Sequence, residues 1–185
     1  MILMLNEHIF RILTIFSLSP GSRLNRKLLK EKTGINNISL DKALSILLNL
    51  KTIKKEKRLL SLNLENEKTK IITKEISEDY ANLKHLPIKE YFTICNITRE
   101  LIKAKNTGEI YLFGSYAKLI FTEKSDIDIA IISDKVNKKE IGKIINSLEK
   151  KHKKAIETHF FSKKFYSNKK DPLVKEIFQH GVRLV

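Results

Sequence analysis

From Glu109 the period of the apolar residues changes from that of a helix to that of a strand. This change constrains the chain's fold more than any other feature. EIYLF (109–113) reads as a strand running into a Gly114-Ser115 turn, and Ser125 introduces a second strand, Asp126-Ile127-Asp128-Ile129-Ala130-Ile131-Ile132. Successive strand residues point to opposite faces, so Asp126 and Asp128 share one face at the strand's start while Ile127 and Ile129 share the other. A helix is expected at about 137–152, followed by a third strand, Ala155 to Phe161.

Two carboxylates a few ångströms apart repel when both are ionised, and each raises the other's pKa. A divalent cation removes that penalty, and carboxylate oxygens on one face suit Mg²⁺ alongside phosphate oxygens and water. Two such ions can activate an attacking oxygen and stabilise a leaving pyrophosphate. The Gly114-Ser115 turn supplies a second half-site. Glycine lets backbone approach a phosphate, and the Ser115 hydroxyl with neighbouring N–H groups can hold terminal phosphates. A short helix starting at Ser115 would favour the same anion, and Lys118 lies one turn further on.

Gly114-Ser115, ten residues, then Asp126-Ile127-Asp128 resembles the signature of the DNA polymerase beta-like nucleotidyltransferase superfamily, and within it the small prokaryotic minimal nucleotidyltransferases. Gly-Ser alone carries no signal. The pair at this spacing, in a strand–turn–strand setting and followed by Ile-Ala-Ile-Ile, is specific. The resemblance covers about residues 109–185 and implies a short mixed sheet flanked by helices. It implies ATP as substrate, Mg²⁺ as cofactor with two ions, and Asp126, Asp128 and a third carboxylate as metal-binding and catalytic residues. Glu157 on the third strand stands at the matching position. Gly114, Ser115, Lys118 and Ser125 are the implied nucleotide-binding residues. His159 shares a strand face with Glu157 and is read as structural or as touching the site. The other four histidines show no metal-ligand spacing. One departure stands out: Leu119 occupies a position where the family usually has glycine or another small residue.

The N-terminal half follows a helical rule. Apolar residues at 9, 10, 12, 13, 15 and 16 predict a helix over 6–18, stopped by Pro20-Gly21. A second helix runs from an Asn25 cap to Gly34, and a third from Ser39 buries Leu40, Ala43, Leu44, Leu47 and Leu48. Two strands, Thr52–Lys55 and Arg58–Leu64, meet at a Glu56-Lys57 turn. This order, and the segment LSILLNLKTIKKEKRLLSLNL, resembles a winged helix-turn-helix of small prokaryotic transcription regulators. Lys51, Lys54, Lys55, Lys57 and Arg58 are placed to meet phosphates, so DNA contact is expected through residues 39–64. The third helix offers few long polar side chains to read bases, and its apolar character points to a homodimer. The alternative reading of this domain is protein docking.

Residues 66–107 read as two helices broken at Pro87, ending at Asn106-Thr107-Gly108. The expected architecture is therefore α+β: a winged helix domain over 1–66 and a nucleotidyltransferase domain over 67–185. In the second domain, residues 67–107 form a helical lead-in and 108–185 the catalytic core.

The formal net charge is +15, and its distribution is uneven. Residues 1–60 carry 12 Lys/Arg against 4 Asp/Glu, residues 61–108 carry 8 against 7, and residues 109–185 carry 16 against 10. A basic surface attracts polyanions such as nucleic acid or nucleotide phosphates; a Lys-rich surface that only maintains solubility is the plainer reading. A single cysteine, Cys95, excludes an internal disulfide and fits a reducing compartment. The apolar start, MILMLNEHIFRILTIF, is interrupted by Glu7, His8 and Arg11 and is too short to span a bilayer. A cytoplasmic protein without membrane attachment is expected.

Two functions compete. The first is a Mg²⁺-dependent enzyme moving AMP from ATP to an acceptor hydroxyl. The resemblance to minimal nucleotidyltransferases implies a tyrosine of a HEPN-type toxin as acceptor, and so an antitoxin role. The second is a DNA-binding regulator whose transferase domain only senses nucleotide. Modification of a small molecule such as an aminoglycoside is disfavoured, because no substrate-binding domain follows the core in this sequence.

Overall fold

A computed structural model describes residues 5–168 and 170–185. The chain divides into two compact units, residues 1–84 and 85–185. The first four residues of the apolar N-terminal run lie outside the described residues.

The first unit holds α1 (Glu7–Ser17), β1 (Leu24–Asn25), α2 (Arg26–Thr33), α3 (Asn37–Asn49), β2 (Ile53–Glu56), β3 (Leu59–Leu62) and α4 (Glu67–Ala81). Its helices start where the chain provides asparagine. The side chains of Asn6, Asn25, Asn36 and Asn66 accept backbone N–H groups of the first turns of α1, α2, α3 and α4. Each cap contributes about 1 kcal/mol by satisfying donors that a helix cannot satisfy itself. The strands form an antiparallel sheet in the order β1-β3-β2. Phe10, Ile12, Leu13 and Phe16 of α1, Leu29 of α2 and Leu40, Ala43, Leu44 and Leu47 of α3 are buried.

The expected boundary near residue 66 is not where the chain divides. α4 belongs to the first unit: it packs against α1, and Ser77 Oγ donates to the Ser17 carbonyl at 3.5 Å. Its inward positions are Thr69, Thr73 and Ile76, two of them polar, so the apolar period there is weak. Each threonine hydroxyl finds a backbone carbonyl, which is how the face tolerates burial.

The second unit contains α5 (Ile88–Leu101), β4 (Glu109–Phe113), α6 (Gly114–Ala117), β5 (Ile127–Ile132), α7 (Lys138–His152), β6 (Ile156–Phe161), a 3₁₀ turn (Lys163–Ser167), α8 (Pro172–His180) and β7 (Val182–Arg183). The sheet is mixed, in the order β6-β5-β4-β7. β4 runs antiparallel to β5 and β7; β5 and β6 are parallel, as the helical connection through α7 requires. One sheet face carries Phe113, Ala130 and Ile132, packed with Phe165 of the 3₁₀ turn and Val174 and Ile177 of α8. On β5 that row continues to Asp128, so apolar packing stops where a carboxylate begins. Cys95 is buried in α5. No helix among the described residues is long and apolar enough to cross a membrane.

Candidate active site

Three strands deliver side chains to one end of that face. Asp128 is in register with Phe113 of β4 on one side and with Glu157 of β6 on the other. His159, two residues along β6, is in register with Ala130. Alternation thus places Asp128, Glu157 and His159 on one face, and their ligand atoms lie within 4.8 Å of one another. His159 Nε2 is 3.2 Å from Glu157 Oε1. Its ring meets Phe113 edge-on, with centroids 5.2 Å apart.

Gly114 abuts this cluster. Its φ is +67°, a left-handed conformation, and a Cβ built there would lie 2.0 Å from Asp128 Oδ2. Glycine is thus required twice over, for the backbone and for the space the carboxylate occupies. Burial raises the Asp128 pKa above the usual carboxylate value. The charge of Glu157 adds to the rise, with lesser contributions from Asp126 and Glu176, while His159 opposes it. A half-buried carboxylate among carboxylates, beside an imidazole, is a donor set suited to a divalent cation.

The remaining expected site residues fall into two groups. Asp126 precedes β5 and is exposed; it acts on Asp128 through its charge but is not one of the three groups brought closest together. Ser115 is half-buried in the short α6. Ser125 is occupied within its own loop, where its Oγ accepts the Thr122 N–H at 2.8 Å. Lys118 pairs with Glu176 of α8, Nζ to Oε1 at 2.8 Å, rather than standing free beside the turn. Glu176 carries no signal in the sequence. It sits on the polar side of an amphipathic helix, with no spacing to mark it.

Leu119 has an unusual backbone. Its φ is +60°, left-handed for a residue with a bulky side chain. Its N–H donates to the Tyr116 carbonyl and the next N–H, of Ile120, to the Ser115 carbonyl. This is the paired hydrogen bonding that closes a helix through a residue normally glycine. The departure at 119 is therefore one of backbone strain, and the side chain points largely to solvent, 47% exposed. The loop beyond is held by Tyr116 stacked on Phe121 at 4.2 Å and by Lys154, whose Nζ donates to the Glu123 carbonyl.

Residues 95–185 match the family model "Polymerase beta, Nucleotidyltransferase". Two solved structures are similar to the chain. One, a toxin-antitoxin crystallised with AMP-PNP, is 21% identical with a TM-score of 0.36, over 50% of this chain and 70% of that one. The other, a mutant of the toxin-antitoxin MntA-HpeT, is 19% identical with a TM-score of 0.35, over 50% and 69%. No curated protein sequence matches.

Proposed function

We propose that the C-terminal unit transfers AMP from ATP to an acceptor hydroxyl in a Mg²⁺-dependent reaction. The observation that carries this reading is the Asp128–Glu157 register across parallel strands with Gly114 seated against Asp128. It is supported by the nucleotidyltransferase family match over residues 95–185.

Asp128 and Glu157, with Asp126 at the solvent edge, would hold the metal. Bound there, divalent ions supply charge neutralisation for the triphosphate and Lewis-acid polarisation of the reacting phosphorus. The protein's own part is positional. Asp126, Asp128 and Glu157 concentrate negative charge that only a cation relieves. Gly114 leaves backbone exposed at the turn, and Ser115 offers its hydroxyl to terminal phosphates. Lys118 is held by Glu176 and becomes available to phosphate if that pair opens. The acceptor is a protein hydroxyl, a tyrosine of a HEPN-type toxin, as the resemblance to minimal nucleotidyltransferases implies; the chain would then serve as an antitoxin.

The test is transfer of label from α-labelled ATP in the presence of Mg²⁺ to proteins of a cell lysate. Wild type should label a discrete band, while Asp128→Asn and Glu157→Gln should not. Equal labelling by wild type and both variants would sink the reading.

A second reading is favoured by the first unit. A groove of about 690 Å³ lies between α3 and the β2–β3 hairpin, edged by Lys27, Lys55, Lys57 and Arg58. Helices followed by a basic hairpin support a winged helix that contacts DNA, with repression and transfer residing in one chain. Binding to duplex DNA should fall steeply with salt, and Lys57→Ala should reduce the slope by about one. Salt-independent binding would point to protein docking instead.

A further inference from the structure

We infer that His159 is a metal ligand of the candidate active site, and that with Asp128 and Glu157 it makes a mixed oxygen–nitrogen set that takes Mn²⁺ and Co²⁺ as well as Mg²⁺, with relative affinity shifted toward the first two. The inference rests on the proposed reading of that site and refines which ion it takes.

The geometry begins with the strand register. Asp128 and Ala130 occupy one row of β5, and Glu157 and His159 stand beside them on β6. Ala130 is fully buried and small, so the row leaves room for an imidazole where a longer side chain would fill it. Phe113, in register with Asp128 on β4, meets the imidazole edge-on at 5.2 Å and 71°. The ring is thereby confined on its apolar side, and its Nε2 lies among the carboxylates, 3.2 Å from Glu157 Oε1. The donor atoms of Asp128, Glu157 and His159 all lie within 4.8 Å of one another. Ligands about 2.0–2.2 Å from a common ion stand roughly 3–4 Å apart, so only small side-chain adjustments separate this arrangement from a shared ion. Asp126, by contrast, is exposed and outside the trio.

The chemistry follows from the donor types. Carboxylate, carbonyl and water oxygens suit Mg²⁺, Ca²⁺ and Mn²⁺, whereas an imidazole nitrogen adds affinity for the later first-row ions. Mg²⁺ gains least from exchanging an oxygen donor for nitrogen, because it is hard and dehydrates reluctantly. One histidine in the set therefore shifts relative affinity, whereas loss of a carboxylate weakens every ion.

The test is titration of the metal-free full chain with Co²⁺, followed by its visible absorption, and with Mn²⁺ and Mg²⁺ by calorimetry. In wild type, Co²⁺ should give a spectrum that His159→Gln alters. In that variant the affinity for Co²⁺ should fall on the order of tenfold, with Mg²⁺ affinity changing far less. His159→Asp, which returns an oxygen donor, should restore binding with the preference moved toward Mg²⁺. Circular dichroism and melting of the metal-free variants separate a ligand effect from a folding defect. An unchanged Co²⁺ spectrum and Co²⁺/Mg²⁺ ratio in folded His159→Gln, with binding still lost in Asp128→Asn, would overturn this inference and leave the site reading standing. A wild type that binds none of the three ions would remove the site reading itself.

Discussion

The two units are built to different standards of local agreement. In the first, each of the four long helices opens on an asparagine cap, and charges pair at the surface, as in Arg26–Asp41 and Arg23–Glu56. Its backbone conflicts are confined to Lys51 and Lys57, which take positive φ in the turns on either side of β2. The second unit gathers several conflicts around one carboxylate. Within fifteen residues it sets Gly114 at positive φ, Leu119 at positive φ and Asp128 among like charges. Structures tolerate such conflicts where something other than stability is served, and clusters of them mark sites. The contrast singles out the stretch from Gly114 to Asp128 as the place in the second unit where local agreement is given up most densely.

The sharpest way to break the comparison is Asp128→Asn. Several kcal/mol of charge stabilisation reside in such a site, so transfer activity should fall by about 10³-fold or more. The same change should raise the melting temperature of the metal-free protein. The sign follows from the raised pKa: the native state holds the Asp128 proton more tightly than the unfolded chain. Above both pKa values, the ionised group therefore destabilises the metal-free fold, and acidification through the folded pKa removes that cost. Metal-free protein should gain from Asp128 as pH falls into that range, and the gain should vanish in Asp128→Asn. Calorimetry across pH, with and without Mg²⁺, checks both. A variant that melts lower at neutral pH would show that the carboxylate is structural.

Next in size is Gly114→Ala. The methyl would meet Asp128 Oδ2 at 2.0 Å in a backbone conformation that L-residues resist. A loss of about 2–4 kcal/mol is expected, together with lost metal affinity as the carboxylate is displaced. Denaturant melts and metal titration measure the two effects. Full stability with unimpaired metal binding would show that the turn is not coupled to Asp128.

Much of this was legible in the sequence because it depends on period and spacing. Alternation places Glu157 and His159 on one face, and the Asn25 cap announces α2. What was not legible depends on contacts across the chain. The inward face of α4 carries Thr69 and Thr73, so no apolar stripe indicates that it joins α1. Lys118 is diverted by Glu176, 58 residues away, and no local pattern encodes that pairing. Asp126 satisfies the spacing of a strand residue, yet the strand begins one residue later and leaves it exposed. The left-handed φ that the helix closure imposes at 119 has no local mark in the sequence, which offers only a leucine there.

Leu119→Gly exploits that strain. Relief of the left-handed cost, less the entropy glycine adds to the unfolded chain, should stabilise by about 0.5–1 kcal/mol, and roughly 2 °C in melting temperature. Little packing is lost, since the side chain is largely exposed. Thermal melts check it, and an unchanged or lower midpoint would mean the leucine contributes contacts that outweigh its backbone.

The smallest effect should come from the first unit. Arg26 grips Asp41 through Nε at 2.6 Å and a second nitrogen at 2.8 Å, and the mutual hydrogen bonds lower the Asp41 pKa and raise that of Arg26. The lowered pKa means the pair stabilises above the ordinary Asp value and stops doing so as pH falls through the folded one. Both side chains are solvated, however, and exposed pairs lose most of their Coulomb attraction to water and salt. Asp41→Ala should therefore leave the melting temperature nearly unchanged at high salt and lower it only slightly at low salt. It also removes the carboxylate that occupies Arg26 beside the groove, so affinity for duplex DNA should rise if that surface meets phosphates. A large loss of stability at high salt would mean that the N-terminal unit too depends on a strained polar contact, and the distinction between the two units would fail.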